Sequence, residues 1–236
     1  KTGLLKKCRR VPGRRATKEE ICSVHTAPYY RLIEDTQYRS AGRSRLRSSI
    51  QQNIHLDEEK DTYINDYSFD AACLSTGGLL QVAERVVDGR LKNGFAIIRP
   101  PGHHAENCKA MGFCLFNHVA ICAQMLLQRY PEDVKKIMIV DWDVHHGNGT
   151  EKTFEADPRV LYFSIHRYDN GSFFPGTGKV TSVGKGRGAG KTVNVPLPSA
   201  GFGDTEYLQI FLQVLLPIAR EFEPDLLLVS AGFDSA

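Results

Sequence analysis

The chain changes character along its length. Residues 1–60 are polar, with one local signal of structure. Thr17 and Glu20 have capping-box spacing and Ile21 and Val24 follow on one face, so a short helix is expected after Thr17. Residues 36–60 are rich in Arg, Ser, Gln and acidic side chains and read as a loop or partly ordered insert. From Phe69 the pattern becomes regular. Residues 68–87 predict a helix, weakened by Gly77-Gly78 and closed by Asp88-Gly89. Residues 95–98 are a short apolar run that Pro100-Pro101-Gly102 stops. Residues 117–128 predict a helix with Val119, Cys122, Met125 and Leu126 on one stripe. Then come a buried-type strand at 136–140, a short helix at 150–156 and a strand at 160–165. A glycine-rich loop at 170–190, a strand at 192–195, a helix at 204–222 and a strand at 226–230 complete the chain.

Apolar runs alternating with helices of this length imply βαβ units. The fold class expected is α/β, an open parallel sheet with helices on both faces. The division expected is a basic N-terminal region with short helices and a variable loop (1–60), then one catalytic-type domain (61–236). In open parallel sheets, ligands bind beyond the carboxyl ends of the strands. The segments there read Pro100-Pro101-Gly102-His103-His104, Asp141-Trp142-Asp143-Val144-His145-His146, His166-Arg167-Tyr168 and Ala231-Gly232-Phe233-Asp234. Five of the eight histidines fall in them, which marks a candidate active site.

Composition narrows the class. With 42% hydrophobic and 24% charged residues, global disorder is excluded. No stretch approaches the ~20 apolar residues that span a bilayer, so no membrane association is expected. The start of the chain lacks the apolar core of a secretory signal. A net charge of +3 does not point to nucleic-acid binding. Lys6, Lys7, Arg9, Arg10, Arg14 and Arg15 concentrate the positive charge near the start, as a solvated arm or a nuclear-import patch. The cysteines, Cys8, Cys22, Cys73, Cys108, Cys114 and Cys122, form no C-x-x-C pair and read as reduced thiols.

After a strand the chain is still extended, so Asp143 and His145 point the same way and can reach one metal; Asp141 can share that side. Asp234, at the end of another strand, can supply a third ligand. Carboxylate and imidazole suit zinc, and three protein ligands leave an open position for chemistry. The alternative is polar side chains with no metal. His103 and His104 follow a rigid turn; one can serve as general base, with Asp141 setting a tautomer, or both can be packed structural residues. Gly112-Phe113 and Phe173-Phe174-Pro175-Gly176 place aromatics in loops, as the walls of an apolar channel or as ordinary core. The glycines at 184–190 match no phosphate loop, and no G-x-S-x-G nucleophile elbow is present.

Arg99–Ala105, Gly112-Phe113-Cys114, Asp141–Thr150, Phe173–Gly176 and Ser230–Asp234 resemble, in order and spacing, the signature blocks of zinc-dependent histone deacetylases, class II rather than class I. The likeness is detailed from about residue 61, weaker over 1–35, and slight over 36–60. It implies an arginase/deacetylase-like fold with Zn2+ on Asp143, His145 and Asp234. It also implies His104 as general base and then acid, with His103 beside it oriented by Asp141, and Asn148 near His104. Gly112, Phe113 and Phe174 would line an acetyl-lysine channel, with Asp61 at its rim. A structural cation, K+ in this family, would use Asp141, Asp143, His145, Ser164 and Ile165, and a second one carbonyls near Phe154, Asp157 and Val160. The partners implied are acetylated histone tails or other acetyl-lysine proteins, and corepressor proteins; the location implied is nucleus and cytoplasm, with a role in transcriptional repression.

The sequence stops two residues after Asp234. In the family, a glycine-rich loop further on carries the tyrosine, or in one branch the histidine, that stabilises the oxyanion. The C-x-C pair of another branch is absent. The expectation is a domain lacking its C-terminal part, poorly active as this chain alone. Two other functions remain open at this point: an acetylpolyamine amidohydrolase, and a catalytically weak scaffold or acetyl-lysine reader.

Overall fold

Four runs of aliphatic residues form one parallel sheet in a computed structural model that describes residues 3–38, 62 and 64–235. They are β1 (Ile137–Asp141), β2 (Val160–Arg167), β3 (Thr192–Leu197) and β4 (Leu226–Ser230), in the order β3-β2-β1-β4. All five residues of β1 are buried, because helices cover both faces of the strand. Its side chains alternate between two cores, as a period of two requires. Ile137 and Ile139 join Val160, Tyr162 and Leu228 in one cluster, against α1 (Lys18–Ile21), α2 (Ala27–Glu34), α3 (Ser68–Val87) and α4 (His118–Arg129). Met138 and Val140 join Leu161, Phe163, Leu215 and Phe222 in the other. The fold is thus the expected open α/β sheet.

Most expected elements form. The capping box closes as read: Glu20 N–H donates to Thr17 Oγ1 at 3.2 Å, and Thr17 N–H donates to Glu20 Oε2 at 2.8 Å. Glu20 is almost fully buried and receives Arg14 and Arg129, both at 2.6 Å, which ties the N-terminal segment to the end of α4. α2 was not read from the sequence; Thr26 caps it and Pro28 sits in its first turn. Ile21, Tyr29 and Ile33 of this segment lie in the same core as α3 and α4. The boundary drawn at residue 60, and most of the insert read at 36–60, lie outside the described residues.

Three expectations change. The helix read at 204–222 runs as α6 (Asp204–Ile210), a π turn (Phe211–Leu215) and α7 (Leu216–Phe222). The wider turn falls just before Pro217, which has no N–H to give to the preceding turn. Residues 95–98 form no strand among the described residues, and Phe95 and Ile97 are exposed. An apolar run becomes a strand only where a neighbour takes its backbone hydrogen bonds, and none of β1–β4 pairs with it. The helix read at 150–156 starts earlier, as α5 (Asn148–Phe154). No helix of the described residues is long and apolar enough to cross a membrane.

Two buried histidines brace the loop before α4. His118 Nε2–H donates to the Pro100 carbonyl at 3.0 Å, and its Nδ1 lies 2.7 Å from the Thr76 hydroxyl. His25 Nε2 accepts from Asn117 N–H at 2.9 Å. Burial holds both rings down to about 4. An unfolded chain protonates them near their ordinary value of about 6.5, so their contribution is complete above that pH and is lost as pH falls from there through about 4. Each is worth on the order of 3 kcal/mol at most. Urea unfolding at pH 7.5 and pH 5 is expected to show lower stability at the acid end. His118→Gln, which keeps a donor and an acceptor but does not titrate, is expected to shrink that difference. An unchanged difference would contradict this.

Candidate active site

The strands' carboxyl ends are level. Register pairs Asp141 with Ser164 on one side and Ser230 on the other, so the segments after β1 and β4 emerge side by side. Asp143 and His145 lie two residues apart beyond β1, and Asp234 comes from beyond β4. One ligand atom from each lies within 4.8 Å of the other two. His145 Nδ1 is 3.1 Å from both Asp143 Oδ1 and Asp234 Oδ2. Asp234 is held although it lies near the last residue: Val144 N–H donates to it at 3.0 Å, and the Ser235 hydroxyl donates to the Trp142 carbonyl at 3.1 Å. The two strand ends approach so closely that a Cβ on Gly232 would run into the Asp143 carboxylate.

Two carboxylates and an imidazole converging from two strand ends are a donor set that fits a catalytic zinc. In the metal-free site the same groups hold a proton. Hydrogen bonds that His145 donates to Asp143 and then to Asp234 raise it to about 9. Burial would raise Asp234, but His145 and the Val144 amide outweigh it and bring it to about 2.

His103 and His104 stand beside this set with ring centroids 4.0 Å apart. His103 Nδ1–H donates to Asp141 Oδ2 at 3.0 Å, and its Nε2 is 3.8 Å from Asp143 Oδ2. Asp141 is fully buried and also accepts from the Tyr162 hydroxyl at 3.1 Å and the Asp143 amide at 3.3 Å. Burial pulls His103 down, but the Asp141 charge and hydrogen bond prevail and its pKa is raised. His104 has no such carboxylate: burial, then the neighbouring His103, push it well below the ordinary value. Its Nδ1 is 2.9 Å from Asn148 Oδ1. The two adjacent imidazoles therefore differ in proton affinity because only one touches a charge.

The loop holding them is sewn down from the start of α5 and from the cap of α4. Gly149 N–H donates to the His103 carbonyl at 3.0 Å, and Asn117, which caps α4, donates to the Ala105 carbonyl at 3.4 Å. Gly112, at φ +51°, passes against His104 so closely that a Cβ would strike the ring. Phe113 is half exposed, and its amide N–H donates to Thr62 Oγ1 at 3.2 Å. Phe174 packs edge-on against His104 at 5.1 Å and His145 at 6.0 Å. Phe173 stacks on His145 at 5.1 Å with the Arg167 guanidinium 4.5 Å from its ring. Asp61 lies outside the described residues.

His166 is placed differently from the reading that put it in a strand-end loop. β2 runs on to Arg167, and His166 is fully buried in it. Its Nε2–H donates to the Gly178 carbonyl at 2.9 Å and its Nδ1 accepts from Ser164 at 2.9 Å. His146 lies beside it, 2.8 Å from Thr177 Oγ1 and 3.0 Å from Glu151. These two histidines anchor the segment that carries Phe173 and Phe174.

Zinc binding is expected to release close to one proton at pH 7 and to weaken as pH falls, because the His145 proton, held up to about pH 9, must leave. Calorimetry in two buffers of different ionisation enthalpy counts that proton; a count of zero would be against it. Asp143→Ala or His145→Ala is expected to cost more zinc affinity than the about 10–100-fold lost with an outer partner, read by chelator competition.

The histone deacetylase domain family matches residues 1–236. Histone deacetylase HDA1 of Candida albicans is 46% identical over 229 residues, covering 96% of this chain and 26% of that protein. Histone deacetylase clr3 of Schizosaccharomyces pombe is 46% identical over 230 residues, covering 96% of this chain and 32% of that protein. The crystal structure of the HDA15 HD domain matches with a TM-score of 0.85 at 43% identity, over 97% of this chain and 60% of that one. This chain thus spans about a quarter to a third of these two curated relatives. With the family matching along the whole chain and two deacetylases sharing nearly half of the aligned positions, the chain belongs to the histone deacetylase family, as a class II-like member.

Proposed function

We propose that the protein carrying this chain hydrolyses the amide of Nε-acetyl-lysine in histone tails or other proteins, with Zn2+ held by Asp143, His145 and Asp234. The observation that carries this reading is the pairing of a three-donor strand-end cluster with two adjacent histidines of opposite proton affinity. When bound, zinc supplies a Lewis acid for the acetyl carbonyl and makes the attacking water more acidic.

The chain's own residues do the proton work. His104 is neutral, its Nδ1–H donates to Asn148, and its Nε2 lone pair takes the proton of the attacking water. The same Nε2 then delivers that proton to the lysine nitrogen as the C–N bond breaks. His103, whose proton affinity Asp141 raises, is oriented by that carboxylate beside the position where the oxyanion develops. Phe113, Phe174 and the bare backbone of Gly112 make an apolar wall for the lysine methylenes beside His104. Oxygen donors suit a hard monovalent cation. Potassium would take Asp141, the carbonyls of Asp143, His145 and Ile165, and the Ser164 hydroxyl, next to Asp141 in register. Corepressor proteins as partners, action in the nucleus and cytoplasm, and a role in repression complete the proposal.

In the zinc-loaded full-length protein, His104→Ala is expected to lower kcat on an acetyl-lysine peptide by about 10²–10⁴-fold while zinc content stays at one. Turnover equal to wild type would overturn the assignment. Acetylated spermidine is expected to be the poorer substrate; the reverse preference would move the reading to polyamine chemistry.

A further inference from the structure

Glu106 follows His104 by two residues and is held in a tight turn, its N–H donating to the Lys109 carbonyl at 2.9 Å. Its carboxylate faces α5. Oε1 accepts from Asn148 Nδ2 at 3.1 Å, and Oε2 accepts from Lys152 Nζ at 2.7 Å. Asn148 and Lys152 are four residues apart on that helix, so they present to Glu106 together.

The contact decides which way the Asn148 amide points. Three groups meet its Nδ2 end: Glu106 Oε1, the His104 carbonyl at 3.4 Å and Met111 Sδ at 3.5 Å. All accept and none carries a proton to donate, so the NH₂ must lie there and Oδ1 must face His104. Reversing the amide would set its oxygen against a carboxylate. With Oδ1 at 2.9 Å, His104 Nδ1 must be the protonated nitrogen, which leaves the Nε2 lone pair free.

We infer that Glu106 is a positioning residue: through Asn148 it fixes His104 in the Nδ1–H tautomer that a base acting at Nε2 requires. The negative charge stands one side chain away from His104, so the ring is oriented without being charged, whereas His103 touches its carboxylate directly. The inference rests on the reading of His104 as general base.

The test uses the full-length, zinc-loaded protein. Glu106→Gln is nearly isosteric but offers one acceptor to two donors, and its own NH₂ can face Asn148. It is expected to lower kcat about 10-fold, within the range for an outer partner, with KM nearly unchanged and the acid limb of the pH profile, where the general base titrates, displaced. In an Asn148→Asp background, where an acceptor faces His104 whichever way the side chain turns, Glu106→Gln is expected to cost nothing. Selective ¹⁵N labelling of histidine in the metal-free protein is expected to report Nδ1–H for His104, and a tautomer mixture in Glu106→Gln. An equal loss in both Asn148 backgrounds, or wild-type kcat and an unchanged ¹⁵N pattern in Glu106→Gln, would overturn the inference. Turnover surviving His104→Ala overturns the general-base reading and the inference with it. Loss in His104→Ala beside an unaffected Glu106→Gln overturns the inference alone.

Discussion

The structure turns on a carboxylate buried at the end of the central strand. Asp141 has no exposure to water, and an isolated buried charge is expensive. It is retained because His103, Tyr162 and the Asp143 amide each donate to it. Those three bonds have structural consequences. The first orients His103, the second ties β1 to β2, and the third turns the chain so that Asp143 and His145 leave the strand in the right direction. Replacing Asp141 would therefore disturb the site and the sheet end together.

Around that charge the molecule uses neutral imidazoles as braces. His25, His118 and His166 are buried, and each is pushed low first by that burial. Each accepts at one nitrogen or donates at the other to fix a loop: His25 at Asn117, His118 at Pro100, His166 at Gly178. At His118 and His166 both ring nitrogens meet a polar group, a role that a ring with one donor and one acceptor fills. The polar economy extends to the N-terminal segment, which meets the loops behind the site through His25, through the Thr26 N–H donating to the Asn107 carbonyl at 2.9 Å and through the Tyr29 hydroxyl donating to the Leu115 carbonyl at 2.7 Å. A segment that looks peripheral in sequence is thus part of the support of His103 and His104.

Much of the fold was legible because its signals are local. Capping at Thr17, the stripe of α4 and the aliphatic runs of β1, β2 and β4 all stood in the sequence, and they fixed the α/β class. Two elements were misjudged for reasons of context. Residues 95–98 have the apolarity of a strand but no partner among the described strands, and pairing is not a property of the run itself. Pro217 sits in a helical pattern that continues past it through a π turn, a rearrangement that periodicity does not register. α2 was missed although Thr26 and Pro28 are start signals, because its 8 residues give only about two turns of periodicity.

The sequence by itself determined the residue types and the alternation that make a donor cluster possible. Asp-x-His beyond an apolar strand puts two donor side chains on one side through backbone geometry alone, and His103-His104 stand behind a turn that proline dictates. What it could not decide is which of two adjacent histidines holds a proton more tightly, or what steers each ring. Those properties depend on residues remote in sequence: Asp141 is 38 positions from His103, Asn148 is 44 from His104, and Glu106 is 42 from Asn148. Only the tertiary structure brings them within hydrogen-bond distance, and proton affinity is set by what lies at that distance rather than by order along the chain.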